Sequence, residues 1–147
     1  PQQQAESAMD ALGLRYGGLT GFRNRVIMEL TEYGYVRDYF GRIRWLPDAF
    51  SANPYGREAA YRQALNHLIQ GPSATMIKIA MRRLYDQGFT LCMQIHDEII
   101  IEVLDAPEEI ARAASAMYKM VDGLMPIEFP VEIKVGKNIG DMEDFIV

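Results

Sequence analysis

Gln94-Ile95-His96-Asp97-Glu98 spans the junction of two apolar, β-forming runs, Phe89 to Ile95 and Ile99 to Leu104, with the polar residues His96, Asp97 and Glu98 between them. Two such runs separated by three polar residues predict an antiparallel hairpin with an acidic tip. Adjacent carboxylates emerging from an apolar sheet are costly unless compensated, and a divalent cation compensates them well. An oxygen donor set of this kind favours Mg²⁺, which keeps several waters and is shared with substrate phosphates. A solvated turn accounts for the same residues, because one acidic tip does not complete a metal site. The strands are apolar on both alternating faces, which predicts that both faces are covered.

The segment upstream, Tyr55 to Gln70, has a helical pattern. Pro72 is expected to end it or to separate it from a second helix, Ser73 to Gln87, closed by Gly88. With Arg62 as origin and about 100° per residue, Asn66 falls near about 40° and Gln70 near about 80°. Ala60, Tyr61, Ala64, Leu65, Leu68 and Ile69 fill the opposite side. The helix therefore buries one face and presents three hydrogen-bond donors on the other, with the small Ala59 among them. Minor-groove edges of every base pair carry acceptors, so such donors can sense pairing without reading sequence. A solvated polar face explains the stripe equally well when the helix is taken alone.

Further out, Gln3 to Leu14 and Thr20 to Tyr33 read as helices, and Gly34 stands where a left-handed C-terminal residue belongs. Tyr35 to Phe40 and Ile43 to Leu46 read as a small hairpin turned at Gly41. Pro47 to Pro54 is the best internal boundary. Pro107, with Glu108 and Glu109 behind it, opens a helix expected to reach about Val121. A last strand, Phe129 to Val135, precedes a glycine-rich acidic tail. The expected fold class is α+β.

Composition narrows the function classes. The chain has 147 residues, 49% hydrophobic and 24% charged, which suits one compact core. Residues 1–83 hold 11 Lys+Arg against 7 Asp+Glu, whereas residues 84–147 hold 4 against 13. Two ordinary solvated surfaces are the plainer reading of charge alone; the alternative is that one half faces phosphates and the other metal ions or water. The single Cys92 excludes an internal disulfide framework and a cysteine zinc cage, and predicts a reducing compartment. No apolar run approaches the roughly 20 residues of a membrane span, and no signal-peptide pattern opens the chain, so a cytoplasmic location is expected. The first residue is Pro rather than Met, which suggests a chain processed, truncated or cut from something longer.

Three strings carry a resemblance when taken together: Gly34-Tyr35-Val36 with Phe40-Gly41-Arg42-Ile43-Arg44-Trp45-Leu46-Pro47-Asp48; Arg57 to Gly71; and Gln94 to Glu98. In order, spacing and residue type, over roughly residues 1–140, the chain resembles family A DNA polymerases. The resemblance implies a partial right-hand polymerase: residues 1–46 from the base of the fingers and residues 47–147 from the C-terminal half of the palm. It implies that Asp97 is a palm aspartate binding catalytic metal, that His96 lies beside the primer terminus, and that Glu98 is the neighbouring carboxylate ordering the site. Arg62, Asn66 and Gln70 are implied as contacts to the primer-template. The implied cofactor is Mg²⁺ in a two-metal site, and the implied partners are primer-template DNA and a deoxynucleoside triphosphate.

The departures bear on the reading. A second metal-binding aspartate and the nucleotide-holding fingers helix would precede Pro1, and no thumb or exonuclease segment is present. The resemblance thus implies a further polypeptide segment that completes the palm, fingers and thumb. Pro72-Ser73-Ala74-Thr75 replaces a more usual Thr-Ala-Ala-Asp, and Ile139 stands where an aromatic residue is common. These changes mark a divergent member, with a viral source open. The rival readings are a naturally split enzyme, a fragment of a single-chain enzyme, and a non-catalytic DNA-binding or assembly module that retains the palm fold. A single-subunit RNA polymerase is disfavoured by Glu98 after His-Asp. His67 and Trp45 are read as structural, and Arg42 and Arg44 as ordinary exposed arginines, with a phosphate contact the lesser alternative.

Overall fold

A computed structural model describes residues 2–118, 123 and 129–145. The chain is α+β, as expected: long helices alternate with three two-stranded antiparallel ladders among the described residues. It divides into two compact units, 1–72 and 73–147. One long helix continues from the first unit into the second.

The first unit opens with α1 (Gln2–Arg15) and α2 (Gly17–Tyr33). The helix expected from Thr20 begins three residues earlier, because Gly17 and Gly18 are accommodated in its first turn. Its end is as expected: Gly34 adopts φ 74° and donates its N–H to the Leu30 carbonyl at 2.8 Å. Strands β1 (Tyr35–Arg37) and β2 (Ile43–Trp45) then pair with Tyr35 opposite Trp45 and Arg37 opposite Ile43. A 3₁₀ turn, Pro47–Phe50, follows.

The core of this unit joins Val26 and Leu30 of α2, Val36 of β1, Leu46 and Ala49 near the 3₁₀ turn, and Ala60 and Ala64 of the long helix. The 47–54 connection therefore does not separate two cores, since Leu46 and Ala49 lie in the same cluster as Ala60 and Ala64. The packing division falls instead after Pro72.

The long helix α3 runs unbroken from Pro54 to Asp86, with Pro72 inside it. This overturns the expected break. A proline disfavours α conformation at the preceding residue by clashing with its N–H and its Cβ, and here the preceding residue is Gly71, which has no Cβ, so that part of the clash is relieved. The lost backbone hydrogen bond and the crowding of the ring against the carbonyl four residues back are the remaining costs.

In the second unit, Met76, Ala80 and Leu84 are buried on one face of α3 at i, i+4 and i+8. Strands β3 (Thr90–Ile95) and β4 (Glu98–Glu102) form the expected hairpin. Its register shifts between Leu91 and Met93, leaving Cys92 as the extra residue of a bulge. Leu91, Ile99, Ile101 and Val103 pack on Leu84, Phe89 and two alanines, Ala113 and Ala116, of α4 (Pro107–Tyr118). The opposite face is not covered by the described residues: Met93 is 49% exposed and Ile95 39%.

Pro107 and the two glutamates open α4 as expected, and its expected continuation to Val121 lies outside the described residues. The strand expected over Phe129 to Val135 reduces to β5 (Lys134–Val135), paired with β6 (Glu143–Asp144). A 3₁₀ turn, Ile139–Asp141, links them, capped by the Asn138 side chain accepting from the Gly140 N–H at 3.0 Å. Gly136 is required there, since a Cβ would stand 2.6 Å from the Asp141 carbonyl oxygen.

Candidate nucleic-acid interface and acidic hairpin tip

The donor stripe lies on the part of α3 belonging to the first unit. Arg62, Asn66 and Gln70 are all exposed, at i, i+4 and i+8, while Ala60 and Ala64 are buried behind them. Tyr61, Leu65 and Leu68 pack on that core as the helical wheel requires. Ile69, assigned to the buried side, is instead 63% exposed. It sits near the edge of the apolar arc, where a small rotation decides between core and solvent.

The β1–β2 hairpin lies alongside this helix. Arg44 Nη2 donates to Gln63 Oε1 at 2.9 Å, and His67 Nε2 is 3.3 Å from the Arg42 carbonyl oxygen. His67 is thus a structural histidine, as read from its position. Trp45 packs against Tyr35 at 4.8 Å between ring centroids.

Asp38 was not singled out by the sequence, yet it is the buried charged residue among those described, 4% exposed. Its Oδ1 accepts the N–H of Phe40 at 3.0 Å and of Arg42 at 2.9 Å, so it shapes the β1–β2 turn. The available signal was an Asp three residues before Gly41, the spacing of a side chain that bonds its own turn.

The acidic tip belongs to the second unit. Ile95 pairs with Glu98, leaving His96 and Asp97 as a two-residue turn. His96 has φ 53° and is the sole non-glycine residue with positive φ among those described. A positive φ at the first position of a two-residue hairpin is where glycine is ordinarily favoured. Holding a histidine there costs on the order of 1 kcal/mol. The Gln94 amide donates to the His96 carbonyl oxygen and stiffens the turn. His96, Asp97 and Glu98 are all exposed, and neither carboxylate is tied up in an ion pair or side-chain hydrogen bond among the described residues.

The oxygens of Asp97 and Glu98 are hard, charged and accessible, the donor chemistry that suits Mg²⁺ with waters and phosphates filling its shell. Among the described residues, no group of three or more His, Cys, Asp or Glu is gathered to hold a metal. A cation at this tip would therefore need ligands beyond those residues. No helix among them is long and apolar enough to cross a membrane.

The family model for DNA polymerase family A matches residues 1–142. The chain is 35% identical over 141 residues to DNA polymerase I of Mycobacterium bovis, covering 91% of this chain and 15% of that protein. It is 35% identical over 139 residues to the thermostable DNA polymerase I of Thermus filiformis, covering 91% of this chain and 16% of that one. The chain thus spans about a sixth of the length of these relatives. Among solved structures, the POL domain of Pol1 from M. smegmatis, in complex with DNA primer-template and dNTP, superposes with a TM-score of 0.73 at 30% identity, covering 86% of this chain and 23% of that one.

Proposed function

This chain belongs to DNA polymerase family A, and from that premise we propose that it forms the C-terminal part of a DNA-directed DNA polymerase. In this reading residues 1–46 belong to the fingers and residues 47–147 to the palm. The observation that carries it is the hairpin tip, where a left-handed His96 and an unengaged Asp97 are displayed by a stiffened two-residue turn. Strain retained at an exposed position is most economically explained by what the position does.

In the proposed reaction the primer 3′-oxygen bonds to the α-phosphorus of a deoxynucleoside triphosphate. The bond from that phosphorus to the bridging oxygen breaks, pyrophosphate leaves, and the hydroxyl proton passes to solvent. When bound, a pair of Mg²⁺ ions would stabilise charge on the attacking and leaving oxygens. Asp97 is the ligand this chain offers. Glu98 adds a second negative charge beside it, and His96 lies next to the primer terminus.

Arg62, Asn66 and Gln70 donate to minor-groove acceptors of the primer-template and so hold the duplex irrespective of its sequence. The second metal aspartate, the nucleotide-holding fingers helix and the thumb are supplied by another segment or polypeptide, and activity requires it.

The test uses a polymerase assembled from this chain and the segments carrying those motifs. Asp97→Ala should abolish primer extension and leave primer-template binding within a few-fold of the unaltered enzyme. Near-normal extension would remove Asp97 from the chemistry. Extension by the 147-residue chain alone would overturn the dependence on another segment.

A further inference from the structure

The β1–β2 hairpin meets α3 at three heights. Arg44 bonds Gln63, the Arg42 carbonyl meets His67, and the Asp38 carboxylate abuts Gly71, where a Cβ would stand 2.6 Å from Oδ2. Gln63, His67 and Gly71 are spaced i, i+4 and i+8, so they form one row along the helix. Each directly follows a member of the donor stripe, Arg62, Asn66 and Gln70. The hairpin thus runs along the row beside the stripe and is fastened to it turn by turn.

The Asp38 contact differs from the other two. The turn itself uses only Oδ1, which accepts two N–H groups, while the backbone of Asp38 exchanges two further bonds, with the Arg42 carbonyl and the Gly41 N–H, each at 2.9 Å. Oδ2 is buried and has no hydrogen-bond partner among the described residues. A buried acceptor without a partner is a cost, and the smaller Ser or Thr would supply a single acceptor to the turn without a second atom in that position. What Oδ2 does is fill the space at Gly71, where any side chain would collide with it. The His67 ring borders the same space, 3.3 Å from where that Cβ would be.

We propose that Asp38 is a positioning residue for DNA binding: its carboxylate, seated against Gly71, sets the height of α3 relative to the β1–β2 hairpin and so places Asn66 and Gln70 for the duplex. The proposal rests on the reading of the donor stripe as a DNA contact. Asp38 touches neither DNA nor nucleotide in it. The bulk at one small contact, rather than a charge on the DNA surface, carries the effect.

A double-mutant cycle in the complete polymerase containing this chain tests it, with steady-state primer extension as the readout. Asp38→Ala leaves a void at Gly71, and Gly71→Ala pushes on the carboxylate. Each should raise KM for primer-template by about tenfold, the ratio that corresponds to roughly 1.4 kcal/mol, with kcat at saturating DNA changed less than twofold. Combining them should give a KM well below the product of the two increases, because the new methyl enters the vacated space. Asp38→Asn, which keeps the size and the turn acceptor, should restore KM to within about threefold of the unaltered enzyme, and it covers the case in which the alanine variant does not fold. Asn66→Ala serves as the reference. If it raises KM while Asp38→Ala and Gly71→Ala do not, or if the double variant is fully multiplicative, the positioning role is refuted. If Asn66→Ala leaves KM unchanged, the stripe reading fails and the positioning role fails with it.

Discussion

Gly34 is the joint at which α2 becomes β1, and replacing it with alanine separates two costs that the structure makes additive. Its N–H donates to the Leu30 carbonyl and its C=O accepts from the Leu46 N–H at 2.9 Å, so its backbone is held from both sides and cannot relax away from φ 74°. An alanine in that left-handed conformation costs roughly 1 kcal/mol. Its Cβ would also stand 2.8 Å from Phe50 Cε2. The Phe50 ring is largely exposed and can swing aside, which puts the second cost near that of a displaced rotamer, about 1 kcal/mol. Gly34→Ala should therefore destabilise by about 2 kcal/mol. Gly41→Ala, also at positive φ (84°) but with nothing within 4 Å of its Cβ, should cost only about half as much. Trp45, the single tryptophan, packs edge-on against Tyr35 in the β1–β2 hairpin and reports unfolding of this unit by fluorescence during urea titration. Gly34→Ala placed in a Phe50→Ala background should recover the contact component, leaving a penalty like that of Gly41→Ala. Equal penalties at Gly34 and Gly41 in the unaltered background would refute the steric half of the argument. A penalty that persists in full without the Phe50 ring would do the same.

Other consequences can be measured separately. Arg112 donates to Glu109 at 2.6 Å, and this hydrogen bond, opposed by desolvation and helped by the charge of the arginine, holds the Glu109 carboxyl below its ordinary range. A lowered folded-state value means that the pair stabilises at pH above the unfolded value of about 4.3 and that this contribution is lost as pH falls through the folded value. Arg112→Gln should raise the Glu109 carboxyl toward its ordinary value in an NMR titration, and no change would discount the pair. Gly136→Ala places a Cβ against the Asp141 backbone, which has no rotamer to escape through, so the β5–β6 pairing should be lost, seen as fast amide exchange at Phe145, which now donates to the Ile133 carbonyl at 2.8 Å. In the assembled polymerase, Arg62→Ala should weaken primer-template binding equally across sequences. A reduced salt slope would show that Arg62 reaches a phosphate, an unchanged one that it reaches a base edge, and a loss confined to one sequence context would contradict both.

The features legible in the sequence are those governed by nearest neighbours. Gly34 announces a helix end by its own conformational freedom, and the paired apolar runs around His96 and Asp97 announce a hairpin, because both signals act within a few residues. Pro72 misleads for an equally local reason: the steric veto on the residue before a proline is weaker where that residue has no Cβ, and Gly71 has none. Asp38 was invisible because its burial depends on α3, whose contacting residue lies thirty-three positions later in the chain. Ile69 was misplaced because periodicity fixes the direction of a helix face and not its width. The left-handed His96 was likewise hidden. A one-residue change in where the ladder ends would relieve it, and only the observed pairing of Ile95 with Glu98 forces the turn to two residues.

The uncovered face of the β3–β4 hairpin supplies the last expectation. Opposite the packed residues Leu91, Ile99 and Ile101 stand Met93 and Ile95 on β3 and Ile100 on β4, bracketed by Glu98 and Glu102. Covering the half of Met93 now exposed would be worth roughly 1 kcal/mol, and among the described residues the two strands also keep unpaired outer edges that invite association. If another polymerase segment covers this face, Met93→Lys should have opposite effects in two settings. In the isolated chain it removes apolar surface from solvent, so sedimentation should show less self-association and urea unfolding should show little loss of stability. In the assembled polymerase it buries an ammonium group, so assembly or extension should fall by an order of magnitude or more, since an unpaired buried charge is far costlier than the methionine it replaces. Ile101→Lys, on the packed face, should unfold the hairpin in both settings and thereby shows what burial within the chain looks like. Met93→Lys without effect on either association or extension would mean that the face is bathed in water in the working enzyme, and the need for a covering segment would fall.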